Sequence, residues 1–143
     1  MMNFKNMILE AKKEHDPSIM SSYFPFTQKT GIKFFIDKKG FCCKLKYSNF
    51  LIGNPISNTL HGGAIAALLQ QSGQFHLIWN RDILEIPKII NISINYLRKG
   101  KNVDTFARAF IKNNGRRVVY IEVLAWNEDE AQPIANAQIN FLL

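Results

Sequence analysis

Charge is missing from the middle of this sequence. Between Tyr47 and Asn80 there is no Asp, Glu, Lys or Arg, although 20% of the 143 residues are charged. A helix in such a segment cannot lie on a protein surface in the usual way, because surface helices turn charged and polar side chains toward water. The uncharged segment therefore predicts a buried central element that the rest of the chain covers.

Cysteine is equally scarce, with only Cys42 and Cys43 present. Neighbouring residues on an extended strand point to opposite faces, so we expect no disulfide between these two. No spacing of His, Cys or carboxylate residues matches a metal site, and we expect none. The N-terminal residues lack the basic run, apolar core and small-residue cleavage site of a secretory signal. We therefore expect a cytoplasmic protein.

Long hydrophobic runs are absent as well. The longest weakly polar run, Gly62–Trp79, is interrupted by glutamine and histidine and falls short of a usual membrane span. We therefore expect no membrane segment and interpret this run as a buried helix. With 143 residues, 47% of them hydrophobic, the chain can build one core without disulfides or metal. The sequence predicts a single domain over residues 1–143.

Basic residues outnumber acidic ones and give a formal net charge of +7. They fall within residues 1–46 and 81–117, whereas residues 118–143 contain no Lys or Arg and four acidic residues. Neither a recognition-helix pattern nor an aromatic RNA-binding strand motif accompanies them. We therefore expect no nucleic-acid partner and consider an anionic small molecule instead.

Hydrophobic spacing predicts most of the secondary structure. Apolar residues at helical intervals predict an amphipathic N-terminal helix over 3–14 and the long helix from Gly62. Alternating apolar residues and turn signals predict six strands, at 31–36, 41–47, 89–97, 103–112, 117–126 and 133–143. Turn-forming residues over 48–60 predict a long irregular loop. This order is typical of an α+β fold, in which a curved antiparallel sheet of five to six strands wraps around one long central helix.

One motif stands out at the start of the long helix. The segment LIGNPISNTLHGGAIAALLQQ, residues 51–71, joins an asparagine-bearing loop to His61-Gly62-Gly63 and then to small and apolar residues. It resembles the PaaI-like acyl-CoA thioesterases of the hotdog superfamily, whose fold matches the predicted element order. The resemblance implies hydrolysis of acyl-CoA thioesters to free acid and coenzyme A. It also implies a homodimer or dimer of dimers with the site between subunits, and no cofactor beyond the substrate's own coenzyme A.

The resemblance also implies roles for individual residues. In that family the amide of the second glycine, here Gly63, polarises the thioester carbonyl from the helix N-terminus. This role agrees with helix physics, because first-turn N–H groups carry partial positive charge and suit a developing oxyanion. The family's loop amide is represented by Asn54, with Asn58 as the alternative, and His61 shapes the site.

The family's helix carboxylate, nine residues after the histidine, is replaced here by Gln70. An amide neither attacks a carbonyl nor activates water efficiently. Two functions stay open: a thioesterase in which Gln70 positions a water whose base is unidentified, or a non-catalytic or weakly active acyl-CoA binding protein. A hydratase of the same superfamily lacks support, because no Asp and His pair lies at suitable loop spacing.

Clustered basic residues suggest where coenzyme A phosphates would bind. Arg98 and Lys99 follow the third predicted strand, and Arg117 flanks an Asn-Gly turn. Arginine can hold phosphate with two parallel hydrogen bonds, which suits a pyrophosphate and a 3′-phosphate. We predict that these three residues contact the coenzyme.

Several of these residues also have a structural interpretation. His61 can cap or brace the loop by hydrogen bonding. Gln70 and Gln74, one helical turn apart, can be paired buried amides at a dimer interface. His76 lies in line with the apolar positions of the helix and is expected to be packed and hydrogen-bonded. The two adjacent cysteines are expected to be strand residues rather than nucleophiles.

Overall fold

The structure is a computed structural model that describes residues 2–143. Its helices are α1 (Phe4–Lys13), α2 (Ser18–Tyr23), α3 (Pro25–Thr30) and α4 (Gly62–Asn80). Its strands are β1 (Ile32–Asp37), β2 (Gly40–Leu45), β3 (Ile52–Asn54), β4 (Thr59–Leu60), β5 (Lys88–Tyr96), β6 (Thr105–Asn114), β7 (Val118–Trp126) and β8 (Ala135–Leu142). A 3₁₀ turn, Asn49–Leu51, precedes β3.

Six of the strands form one antiparallel sheet in the order β1-β2-β6-β7-β8-β5. Hairpins connect β1 with β2 and β6 with β7, and β8 lies between β7 and β5. The short strands β3 and β4 form a separate hairpin directly before α4. The six predicted strands and the long helix are therefore confirmed, and with them the α+β hotdog architecture.

Helix α4 packs against one face of the sheet and forms the centre of the core. Its residues Leu68, Leu69 and Leu77 are fully buried. The facing strand residues alternate along β7 and β8, as the pleat requires, and are buried too: Val119, Ile121, Val123, Ala135, Ala137, Ile139 and Phe141. The helical part of the uncharged segment is thus the buried centre, as predicted, whereas the part before it is largely exposed, with Ile56 at 97%. Of the helices in residues 2–143, none is long and apolar enough to cross a membrane.

The N-terminal region is more helical than predicted. Helix α1 forms where expected, and the Asn3 side chain accepts a hydrogen bond from the Asn6 N–H at 2.8 Å at its start. Residues 18–30, for which no helix was predicted, contain α2 and α3. Pro25 occupies the first turn of α3, where its missing N–H has no helical partner to lose.

The predicted irregular loop at 48–60 is wrong in part, because it holds the 3₁₀ turn and the β3–β4 hairpin. The Asn54 side-chain oxygen accepts hydrogen bonds from the backbone N–H groups of Ile56 at 3.1 Å and Ser57 at 3.4 Å, which closes the hairpin turn. Asn58 adopts a left-handed φ of 54°, which asparagine tolerates better than most residues. The residues that favoured a loop therefore fold a tight hairpin that leads directly into His61.

Candidate functional site

The first turn of α4 is held by the side chain that precedes it. His61 is the N-cap residue, and its Nδ1 accepts a hydrogen bond from the Gly63 N–H at 2.9 Å. The His61 N–H in turn donates to the Leu51 carbonyl at 2.7 Å. The backbone of Gly53 packs directly against that of His61, since a Cβ added to Gly53 would come within 2.6 Å of the His61 Cα. The β3–β4 hairpin therefore fixes the backbone position of the residue that caps α4.

This hydrogen bond fixes how the His61 imidazole is protonated. Because Nδ1 is the acceptor, the proton of the neutral ring lies on Nε2. The side chain is exposed, so the Nε2–H group can donate to a ligand. While His61 caps the helix, it offers one donor and no free basic nitrogen.

A second side chain bonds the peptide group between Gly62 and Gly63, whose N–H is bonded to His61. Tyr96, the last residue of β5, donates its hydroxyl hydrogen to the Gly62 carbonyl at 2.8 Å. The Gly62 carbonyl and the Gly63 N–H belong to one peptide unit, so the two hydrogen bonds orient and polarise it in the same sense. We term His61, Gly62, Gly63 and Tyr96 the glycine clamp. Sequence reasoning missed Tyr96, whose only signal is its place in the apolar alternation of β5.

The Gly62 N–H is the open donor of the clamp. It donates to no protein group within residues 2–143, as expected for the first residue of a helix. The Gly63 N–H, in contrast, is available to a ligand only when His61 turns away. The N–H of Gly63, which was expected to polarise a carbonyl, is therefore already hydrogen-bonded, and the N–H of Gly62 is free.

An apolar cavity of about 320 Å³ opens beside the clamp. Its lining residues come from α3, β1, β2, the 3₁₀ turn and the start of α4: Phe26, Thr30, Ile32, Leu45, Phe50, Leu51, His61, Gly63, Ala64 and Ala67. Only two of these side chains, those of Thr30 and His61, are polar, and none is a carboxylate. Apolar walls with a few polar groups are typical of a small-molecule site.

Gln70 lies on the same helix face as Gly63 and Ala67 but outside the cavity. Positions three, four and seven residues apart share a face, and seven residues span about 10 Å along a helix axis. The Gln70 side chain is exposed and does not line the cavity. The residue at the family's carboxylate position is therefore not part of the cavity wall of its own chain.

Gln70 and Gln74 do not pair with each other within one chain, and their place at a dimer interface stays a prediction. Gln74 donates through Nε2 to the Pro87 carbonyl at 2.9 Å, while Gln70 faces solvent. The buried amide of this helix is Gln71, whose Oε1 accepts a hydrogen bond from the Thr27 hydroxyl at 3.0 Å. That bond fastens α3, which contributes to the cavity wall, to α4.

The two loop asparagines lie apart from the clamp. Asn54 uses its side-chain oxygen within its own turn and is exposed. Asn58 is exposed as well. Within residues 2–143 no hydrogen bond joins either side chain to His61 or to the two glycines. The structure therefore brings His61 and Gly63 together but leaves Asn54 outside.

The sequence model of the thioesterase superfamily matches residues 57–134, more than half of the chain. The chain belongs to the thioesterase superfamily. The matched region begins in the hairpin before His61 and ends just before β8, so it includes the whole glycine clamp. No curated protein matches this chain.

Solved structures similar to this thioesterase-superfamily chain cover nearly all of it. A protein from Chromobacterium violaceum shares 29% identity over 95% of both chains, with a TM-score of 0.79. A phenylacetic acid degradation-related protein from Ralstonia eutropha shares 15% identity over 96% of this chain and 100% of its own, with a TM-score of 0.75. A Bacillus halodurans protein solved with CoA shares 20% identity over 100% of this chain and 96% of its own, with a TM-score of 0.72.

The predicted phosphate-binding residues of this superfamily member lie at both ends of the sheet. Arg98 and Lys99 follow Tyr96 closely and are exposed at the clamp end. Arg117 lies at the other end, where its carbonyl accepts a hydrogen bond from the Leu143 N–H. Strand β8 separates the two ends by about 25 Å at its usual rise per residue. One chain therefore cannot use Arg117 and Arg98 on the same phosphate group.

A third basic group, Arg108, is already neutralised on the face of the sheet opposite α4. Its side chain is only 5% exposed and forms ion pairs with Asp37 and with Glu130, the latter at 3.0 Å. The guanidinium also donates to backbone carbonyls of the β1–β2 hairpin. Arg108 therefore joins that hairpin to the connection between β7 and β8 and is not available to a phosphate.

The remaining candidate side chains are partly or fully buried. His76 packs edge-on against Phe41 with ring centroids 6.0 Å apart, but its buried Nδ1 has no partner within the described chain. Burial, with a smaller contribution from the Arg108 charge, lowers the pKa of His76 to about 4. Burial also raises the pKa of the Cys42 thiol to about 11, which keeps it protonated and unreactive. His76 is thus packed as predicted but not hydrogen-bonded through Nδ1.

Residues 2–143 contain no group of three or more His, Cys, Asp or Glu that could hold a metal ion.

Proposed function

We propose that this protein binds acyl-CoA thioesters and hydrolyses them to a free acid and coenzyme A. The observation that carries the proposal is the apolar cavity beside the glycine clamp, with the open Gly62 N–H next to it. An acyl group suits the apolar walls, and a thioester oxygen suits the helix N-terminus, where N–H groups and the helix dipole favour negative charge. Superfamily membership and the CoA of the similar Bacillus halodurans protein support this ligand class.

The clamp supplies the donors that a developing oxyanion needs. The Gly62 N–H and the exposed Nε2–H of His61 are both available, and the Gly63 N–H becomes available when His61 turns away. A preorganised donor of this kind contributes about 10²-fold to 10³-fold in kcat. Tyr96 acts as a positioning residue, because it fixes the peptide group that carries the Gly63 N–H.

Attack by water is the step with the least support from this chain. No carboxylate lines the cavity, and the His61 Nδ1 is engaged in the cap. Gln70 is exposed and does not line the cavity of its own chain, so we propose that it acts in the cavity of a second subunit. There its amide can position a water but cannot take its proton. We therefore expect slow hydrolysis, and the same observation favours the alternative function, acyl-CoA binding with little or no turnover.

We infer a homodimer that forms through β5. This strand pairs with β8 on one side and with no strand of residues 2–143 on the other. It carries apolar side chains such as Ile90, which is 54% exposed. A long apolar edge strand is a template for pairing with a second copy. Two β5 strands related by a two-fold axis pair antiparallel, so the clamp end of one meets the Lys88 end of the other.

Such a dimer would bring the separated basic residues closer together. Arg117 lies at the Lys88 end of the sheet, since Val118 and Lys88 both pair with Leu142. Across the dimer, Arg117 of the partner subunit would lie about 15 Å from the end of β5, or three strand spacings. We propose that it joins Arg98 and Lys99 in holding the pyrophosphate and 3′-phosphate of one coenzyme A.

Two measurements test the proposal. Calorimetric titration with a non-hydrolysable octanoyl-CoA thioether should show binding, and a thiol-reagent assay with octanoyl-CoA should show slow release of coenzyme A. Binding without release would identify an acyl-CoA binding protein. Absence of binding would refute both functions.

The phosphate contacts have their own test. Arg98→Ala should weaken binding of the octanoyl-CoA thioether about tenfold through loss of a charge-assisted hydrogen bond. Lys112→Ala is the matched control, because Lys112 is exposed and pairs with Glu122 on the sheet. An equal effect of both substitutions would indicate that only net charge matters.

A further inference from the structure

The cavity beside the glycine clamp also restricts the acyl group. Its innermost residues, Ile32, Leu45 and Leu51, are at most 3% exposed. Phe26 and Phe50 line the same cavity but are 53% and 68% exposed. Two phenyl rings this exposed beside an apolar cavity leave unfavourable surface in water, which an apolar ligand would cover.

The volume of the cavity limits the size of that ligand. A volume of about 320 Å³ holds on the order of ten non-hydrogen atoms, if each takes about 30 Å³, the share of a water molecule in the liquid. An acetyl group would leave most of this space empty. A palmitoyl chain would extend well beyond it.

The polarity of the cavity limits its chemistry. No Lys or Arg lines it, and the hydroxyl of Thr30 already donates to the Phe26 carbonyl at 2.7 Å. His61 is the other polar side chain and belongs to the clamp. An acyl chain that ended in a carboxylate would therefore bury its charge without a partner, which is strongly unfavourable.

We infer that the acyl group is an uncharged apolar chain or ring of about six to ten carbons, held in this cavity against Phe26 and Phe50. The inference rests on the proposed function and adds the substrate class to it. Ala67 lies one helical turn after Gly63 on the cavity wall, so a larger side chain at this position would shorten the space for the acyl group.

The test compares non-hydrolysable thioether analogues of acetyl-CoA, octanoyl-CoA, palmitoyl-CoA and suberyl-CoA by calorimetry. The octanoyl analogue should bind at least about a hundredfold more tightly than the acetyl analogue, since each buried methylene contributes up to about fourfold. The palmitoyl analogue should gain nothing further over the octanoyl analogue. The suberyl analogue has the same length but a terminal carboxylate, and it should bind about as weakly as the acetyl analogue. Free octanoate and coenzyme A alone should each bind more weakly than the joined molecule.

Substitutions locate the acyl group. Ala67→Leu should weaken binding of the octanoyl analogue at least about tenfold and leave the acetyl analogue unchanged, because the added carbons occupy the cavity. Ala66→Leu is the matched control, since Ala66 is a partly exposed alanine of the same helix that does not line the cavity. Phe50→Ala affects an exposed side chain and does not threaten folding. It should weaken octanoyl binding about tenfold.

The outcomes separate the inference from the proposed function. Equal affinity for the acetyl, octanoyl and suberyl analogues would overturn the inference and leave acyl-CoA binding intact. A preference for octanoyl that survives both Ala67→Leu and Phe50→Ala would place the chain elsewhere and overturn it too. Free octanoate that binds as tightly as the octanoyl analogue would contradict a thioester ligand. Failure of every analogue to bind would refute the proposed function itself.

Discussion

The two ends of α4 belong to one uncharged helix but differ in how their polar groups are satisfied. At the N-terminal end the Gly62 N–H has no partner in residues 2–143, and Gln70 is exposed. At the C-terminal end Lys12 donates to the Arg81 carbonyl at 2.7 Å, and the Arg81 side chain bonds Asn114 at 2.8 Å. A backbone donor is therefore open beside the cavity, whereas the groups around the C-terminus of the helix are bonded to distant parts of the chain. Two buried side-chain atoms of the packed part, Ser72 Oγ and His76 Nδ1, are exceptions and have no partner within residues 2–143. Absence of charge is thus shared by a packed core at one end and by the proposed ligand site at the other.

Shortening a buried side chain in the C-terminal half of α4 should give the largest change in free energy. Leu77 is fully buried, so Leu77→Ala should lower the free energy of unfolding by about 2 to 5 kcal/mol in urea titrations. Leu84→Ala, at a residue 39% exposed, is the control and should cost less than about 1 kcal/mol. The affinity of the folded Leu77→Ala protein for the octanoyl analogue should not change. A loss of affinity would show that the two ends are coupled.

At the ligand end, Gln70→Glu should raise kcat/KM for octanoyl-CoA at least about 10²-fold, because it restores a general base or nucleophile. Stability should change little, since the side chain is exposed. Gln70→Met matches the length of the side chain without a charge and should give no gain. If Gln70→Glu is no faster than the natural protein, another group must supply the base.

The pH dependence of stability should follow His76, in the packed half of α4. Its pKa of about 4 in the folded protein lies below the value of about 6.5 in the unfolded chain. The unfolded chain therefore binds the proton first as the pH falls, and stability present above pH about 6.5 is lost toward pH about 4, by about 3 kcal/mol. His76→Gln should remove this part of the dependence in urea titrations across that range. An unchanged profile in His76→Gln would assign the dependence to other groups.

The smallest effect is expected at the clamp. Tyr96→Phe removes one hydrogen bond to the Gly62 carbonyl and should lower kcat about tenfold, with little change in KM. The amide proton resonance of Gly63 should shift as well, because the peptide group is less polarised. Tyr120→Phe, on a strand outside the clamp, should change neither. A change in KM alone would mean that Tyr96 contacts the substrate instead of positioning the glycines.

Most of the fold could be predicted because long elements repeat their pattern many times. The alternation along β7 and β8 and the helical spacing after Gly62 each extend over eight or more residues. Helices α2 and α3 have six residues each, which is too short for a periodic signal. The β3–β4 hairpin was missed for another reason, since Asn54 and Asn58 favour loops and tight turns alike.

The site was less predictable because it depends on contacts between distant parts of the chain. The motif located His61 and Gly63. Their hydrogen bond, in which His61 caps α4, is local because it joins residues only two positions apart. Tyr96, which bonds the Gly62 carbonyl, lies at the end of β5, 34 residues further along the chain. The cavity depends on Phe26 of α3 and Phe50 of the 3₁₀ turn, which the fold brings together at the start of α4. The sequence pattern of a single segment cannot predict such contacts between residues that are far apart in the chain.

The hydrogen bond between His61 and Gly63 also bears on how fast a ligand can enter. To release the Gly63 N–H, only the imidazole has to turn about its side-chain bonds, and the backbone of the hairpin and α4 stays in place. Exposed side chains change rotamer within picoseconds to nanoseconds, far faster than loops or domains rearrange. We therefore expect association of acyl-CoA to proceed in a single kinetic phase whose rate increases linearly with ligand concentration.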